Sequence, residues 1–156
     1  MENKEIITNF YTAFANGNAE EMTKYYHQNA TFEDPAFGKL NQKEVISMWK
    51  MLIERSKGNL KIEFKKVSAD GNSGSATWIA TYLFSQTNRK VINIIDAEFK
   101  FKDGLIIQHK DNFDLYKWSK QALGWKGFLL GWTNFMRNKI QQNAKKSLQN
   151  YMLKNA

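Results

Sequence analysis

The chain holds 156 residues with 23 Lys and Arg against 15 Asp and Glu, a net charge of +8, and 14% of it is aromatic. That length suits one domain with one core, and the absence of cysteine excludes a disulfide frame, a zinc–thiolate centre and a thiol nucleophile. The opening MENKEIITNF is too polar for a secretion signal and no run approaches the ~20 apolar residues of a membrane span, so a cytoplasmic setting is expected.

ENKEIITNFYTAFANGN sets Ile6, Ile7, Phe10, Tyr11 and Phe14 at helical spacing, and Gly17 ends the helix. Asn18 is a good N-cap for a second helix, with Glu21 three residues on. NATFEDPAFGKLNQ reads as a short extended piece entering a turn at Pro35 and Gly38. QKEVISMWKMLIERSKG is the clearest helix, with Val45, Met48, Trp49, Leu52 and Ile53 on one stripe and Gly58 closing it.

Strand patterns follow. LKIEFKKV puts Leu60, Ile62 and Phe64 on one face, and ATWIATYLF groups Trp78, Ala80, Tyr82 and Phe84. VINIIDAEFKF comes next, and KDG makes a tight hairpin into LIIQHKDNFD. Helices followed by a four-strand meander predict an α+β domain in which helices cover one face of a curved antiparallel sheet.

LIIQHKDNFD carries the most unusual pattern. Leu105, Ile107, His109, Asp111 and Phe113 share one face, since side chains alternate at period two. That face begins and ends apolar, so a histidine and an aspartate are carried toward a core. Burial of an unpartnered acid favours its neutral form, whereas close pairing with imidazole favours both charged forms, and either state can serve proton transfer near neutral pH. A structural His–Asp hydrogen bond is the other reading. Asp114 faces the opposite way and precedes LYKWSKQALG, which suits a helix N-cap.

The run FYTAFANGNAEEMTKYYHQNATFEDPAFGKLNQKEVISMW, together with HKDNFD, resembles the nuclear transport factor 2-like superfamily, the fold of ketosteroid isomerase and the SnoaL-like polyketide cyclases. The resemblance spans about residues 3 to 123. It implies a cone: a curved sheet wrapped around the N-terminal helices, with an apolar pocket for a small hydrophobic molecule and one or two acids inside. Two units are then expected, a cone domain over 1–123 and an apolar, basic helical extension over 124–156 packed on it.

In ketosteroid isomerase the general-base aspartate sits in a segment similar to FEDP, where Asp34 matches it. The same residue also reads as a turn-forming Asp before Pro35. The isomerase's oxyanion tyrosine matches Phe10 here, and its second acid falls on Ala97, or on Asp96 after a one-residue shift. Steroid isomerisation by that route is therefore not expected. The limonene-type epoxide hydrolases end their last strand similarly, with Asp111 matching one acid, but need an arginine and a second acid on the strand matching ATWIATYLF, which has no charge. The SnoaL-like pattern remains: Asp34 or Asp111 as base, His109 beside it, and no cofactor. The resemblance makes Phe10, Trp49, Trp78, Tyr82, Phe84 and Phe99 candidate pocket linings, although each also suits plain core. His27 and His109 lie too far apart in sequence to form a metal signature, and no phosphate loop or nucleophile elbow occurs.

The basic charge is concentrated late. Residues 1–113 carry fifteen Lys and Arg against fourteen acids, a net of +1, whereas 114–156 carry eight against Asp114 alone, a net of +7. Within that tail, 125–135 is rich in Trp, Phe and Leu, and Met136, Ile140, Ala144, Leu148 and Tyr151 form a helical stripe. Packing on the domain or across a homodimer is the expected role. A membrane-surface contact through 125–156 is the alternative. Nucleic acid is not expected, because no base-reading module accompanies the charge. Two classes of function stand: a proton-transfer isomerase or cyclase, and a module that holds a hydrophobic ligand without chemistry.

Overall fold

The computed structural model describes residues 1–156. Two helices open it, α1 (Asn3–Ala15) and α2 (Ala19–Thr23), before strands β1 (Tyr26–Asp34) and β2 (Gly38–Asn41) and helix α3 (Gln42–Ser56). A meander follows, made of β3 (Lys61–Asp70), β4 (Ser73–Phe84), β5 (Arg89–Lys102) and β6 (Leu105–Asn112). Three helices close the chain: α4 (Leu115–Leu123), α5 (Trp125–Leu130) and α6 (Asn134–Lys154).

The helix ends obey local chemistry. Asn18 accepts from the Glu21 amide, and Asp114 from the Lys117 amide, as N-caps should. Asn41 and Glu44 close a reciprocal capping box on α3. Gly17, at φ +69°, turns the chain out of α1 through a conformation that a side chain would resist.

The fold is the expected α+β cone, with one difference in the sheet. It has six strands, in the order β2-β1-β6-β5-β4-β3, rather than the meander's four. The piece around NATFED is a full strand, and its pairing with β6 is parallel, the single exception in an otherwise antiparallel sheet. Parallel neighbours need a long crossover, and β2, α3 and the first three strands of the meander lie between β1 and β6. A bulge between Tyr26 and Thr31 interrupts β1's alternation, which is why its sequence reads weakly.

A second bulge corrects the reading of β6. Phe101 pairs with Ile106 and Lys100 with Gln108, so Ile107 has no partner on β5. Ile106, which strict alternation assigns to the outer face, is therefore wholly buried. Beyond the bulge, His109 and Asp111 point inward as expected.

The helices α1 and α3 fill the concave side. Ile6, Ile7, Phe10, Tyr11, Phe14, Val45, Met48 and Trp49 pack there against Ile62, Trp78, Phe99 and Phe101 of the sheet. Helix α6 lies along α3 and buries Leu148 in the same core. Polar contacts pin it: Tyr151 donates to Glu54 at 2.7 Å, Arg55 to Ser147 at 2.6 Å, and Gln141 to the Pro35 carbonyl at 3.1 Å. The large apolar side chains of 125–135 do not pack on the chain's own domain but are exposed.

Candidate functional site

The site begins with the β1–β6 ladder. Phe32 pairs with His109 and Glu33 with Lys110, so the next step in register sets Asp34 beside Asp111. Both face the concave side because each lies two residues beyond an inward ring, Phe32 or His109. Two acids distant in sequence thus become neighbours at the end of the sheet, with α4 following directly from β6.

Asp111 is locked. Its Oδ1 accepts from His109 Nε2 at 2.8 Å and from Trp78 Nε1 at 3.4 Å. On its other nitrogen, His109 meets the Tyr26 hydroxyl at 2.7 Å, and that hydroxyl accepts from Trp49 Nε1 at 2.9 Å. The directions assign the tautomer. A carboxylate only accepts, so Nε2–H donates to Asp111; in the neutral imidazole Nδ1 then accepts the Tyr26 proton, while the Tyr26 oxygen accepts from the Trp49 indole. A chain therefore runs Trp49, Tyr26, His109, Asp111, every member satisfied.

His109 itself reaches no solvent. Its ring is enclosed by Phe10, Phe32, Trp49 and Phe99, with centroids 4.4–6.1 Å away. Phe10, Trp49 and Phe99 are thus the wall of the histidine's enclosure, and the one acid that His109 touches is Asp111. No arginine or lysine pairs with Asp111. Asp96, the alternative acid position, lies on the outer face and accepts from Thr77 at 2.9 Å.

Asp34 is held differently. Oδ1 accepts from the amides of Ala36 and Phe37 at 2.9 and 2.6 Å, so it makes the turn before β2. Oδ2 makes no hydrogen bond in the chain yet is not sealed from solvent. Burial of the carboxyl group pushes its pKa up; the two amides oppose this, and the charge of Asp111 adds to it, leaving a value of about 7.

Tyr82 lies near enough to Asp34 to feel its charge. Its hydroxyl accepts from Trp118 Nε1 of α4 at 2.7 Å, which leaves its own proton uncommitted. Burial raises its pKa, the Trp118 hydrogen bond lowers it, and the charge of Asp34 raises it again. Phe84 packs edge-on against Trp118 at 5.3 Å. Thr87 donates to the Ala122 carbonyl, and Arg89 to the Gln121 carbonyl at 2.8 Å, fastening α4 over the ends of β4 and β5.

Sequence reading missed Tyr26, Trp118 and Asn93. Asn93 is buried on the inner face of β5, between Val91 and Ile95, with no side-chain partner. Its signal was the same as that of His109: one polar residue on an apolar alternating face. Tyr26 and Trp118 gave no such signal, because aromatics on those faces suit plain core. A groove of about 510 Å³, lined by Asp70, Ser75, Glu98, Lys100, Gln108 and Lys110 and touched by Phe99, includes none of Asp34, Tyr82, His109 and Asp111.

An unclosed six-stranded sheet wrapped on helices, with acids carried inward at its end, defines a nuclear transport factor 2-like cone. The SnoaL-like domain profile matches residues 7–109, and the chain belongs to that family. Among solved structures, Bal32a from a soil-derived mobile gene cassette is similar at TM-score 0.66 and 19% identity, covering 75% of this chain and 93% of that one. An LEH-like epoxide hydrolase of M. tuberculosis is similar at 0.60 and 19%, covering 80% and 90%. A Catenulispora acidiphila protein with a ketosteroid isomerase-like fold, in complex with trimethylamine, is similar at 0.62 and 17%, covering 76% and 92%. At these identities the likeness is one of fold. No curated protein sequence matches.

Proposed function

We propose that the chain holds a small hydrophobic molecule at the cone mouth and moves a proton on it, as an isomerase or cyclase with Asp34 as general base. One observation carries this reading. Two inward carboxylates stand side by side, one engaged by His109 and Trp78, the other kept near neutral pKa with a free oxygen. Environments that separate the behaviour of two neighbouring acids are how one site obtains distinct acid and base roles.

The step balances without a further reactant. Asp34 Oδ2 takes a proton from a carbon beside a carbonyl; the C–H pair moves to form the enolate, and charge gathers on the carbonyl oxygen. The Tyr82 hydroxyl, fixed by Trp118, donates to that oxygen. Asp34 then returns the proton to another carbon of the same molecule. His109 is a positioning residue: it orients Asp111, whose charge sustains the basicity of Asp34.

The test is deuterium exchange at acidic C–H positions of small lipophilic ketones and β-dicarbonyls, followed by NMR in deuterated water. Asp34→Asn should abolish exchange and leave ligand affinity within a few-fold, because the loss falls on the transition state. Tyr82→Phe should slow it about 10²–10³-fold, as removal of an oxyanion donor does. Exchange that survives Asp34→Asn would remove the base from this position. Ligand binding without exchange in the native protein would make the mouth a binding module instead.

A further inference from the structure

Helix α5 inverts the usual rule for a surface helix. It buries only Gly127, while Trp125, Phe128, Leu129 and Leu130 face solvent. Trp132 and Phe135 continue the exposed run, so six large apolar side chains within residues 125–135 show 44% to 71% of their surface. At the ~150–250 Å² of an aromatic side chain, the four aromatics alone expose on the order of 500 Å². That is near the upper end of the roughly 300–600 Å² patches found on monomers, which are often functional.

The face is built, not frayed. A Cβ on Gly127 would run into the Ser119 carbonyl of α4, and one on Gly131 into the Ser119 hydroxyl, so both glycines let α5 seat directly on α4. Tyr116 donates to the Phe128 carbonyl at 2.9 Å, and Trp132 to the Leu129 carbonyl at 3.0 Å. The aromatics are held outward by a backbone that is itself held.

Charge selects the occupant. From 115 to 156 the chain has eight Lys and Arg and no acid. Lys117, Lys126, Arg137 and Lys139 are exposed among or beside the apolar side chains. A symmetric contact with a second copy would press like charges together with no carboxylate from this segment to pair them. A polyanion alone would leave Leu129 and Leu130 without a use. A surface that is apolar inside and anionic outside satisfies both sets.

We infer that α5 and the start of α6 dock the protein on an anionic lipid bilayer, with Trp125, Phe128, Trp132 and Phe135 entering the headgroup boundary and the basic residues on lipid phosphates. The contact is peripheral, since no helix is long and apolar enough to cross a membrane. It stands independently of the proton-transfer reading.

The full chain is mixed with vesicles of phosphatidylcholine alone or with about one third phosphatidylglycerol, and bound protein is measured by co-sedimentation and tryptophan emission. Binding with a blue shift is expected only on the anionic vesicles, weakening as salt shortens the screening length. Lys126→Gln/Arg137→Gln/Lys139→Gln should weaken it about a hundredfold, at roughly fivefold per basic residue. Phe128→Ala/Phe135→Ala should weaken it at least about tenfold, while circular dichroism shows the fold intact, since both side chains are exposed. No binding by the folded native protein at low salt overturns the inference, and so does binding indifferent to either variant. A native dimer dissolved by the phenylalanine variant, with vesicles ignored, assigns the face to a second copy. Retention on an oligonucleotide with vesicles ignored assigns it to nucleic acid.

Discussion

Asp34→Asn should stabilise the protein at alkaline pH and much less in acid. In the folded chain the carboxyl pKa is raised from 3.8 to about 7. Below pH 3.8 the group is neutral in both folded and unfolded states and adds nothing. Between 3.8 and about 7 the folded state keeps a proton that the unfolded state has lost, so stability falls as pH rises; above about 7 the whole penalty is present. A gap of roughly three pH units at ~1.36 kcal/mol each sets a ceiling near 4 kcal/mol. Solvent reaching Oδ2 screens part of that, so about 2 kcal/mol is the working figure at pH 8. Asparagine keeps the turn, because its Oδ1 can accept the same Ala36 and Phe37 amides. Urea titrations of both proteins at pH 5 and pH 8 measure the difference, which should be under half as large at pH 5. An equal gain at both pH values, or a loss at pH 8, would show that the carboxylate is not held against its own ionisation. Stabilisation coupled to lost proton exchange is the expected mark of a strained functional group.

Tyr11 carries a buried hydroxyl with no partner, so Tyr11→Phe should raise stability by about 1 kcal/mol in urea titration; a loss would reveal a hydrogen bond that the hydroxyl makes. His109→Ala should cost roughly 3–5 kcal/mol, because it opens a cavity among four aromatic rings and strips Tyr26 and Asp111 of their partner. Leu148→Ala should cost about 2–5 kcal/mol by the same cavity argument, read from thermal denaturation, if α6 contributes to the core as its burial indicates. Gly127→Ala should loosen α5 from α4 and speed amide exchange in 125–131, leaving exchange in the sheet unchanged.

Local pattern alone carries much of this protein. Helical spacing in FYTAF and in VISMWKMLI identifies α1 and α3, and period-two alternation carries His109 and Asp111 inward, because each pattern is complete within one element. The N-caps at Asn18 and Asp114 are equally local. Only the tertiary structure decides that Asp34 stands beside Asp111. Their adjacency depends on a parallel pairing between segments separated by α3 and four strands, and no local period encodes a long-range register. The bulge at Ile107 is likewise a property of two strands together, and it moves Ile106 to the core against its own alternation. Tyr82 gains its fixed hydroxyl from Trp118, an aromatic whose sequence signal is that of ordinary core. The tail divides on the same principle. α6 finds α3 and buries its stripe, whereas the aromatics of 125–135 stay in solvent because the glycines of that stretch, not its side chains, make the close contact with α4.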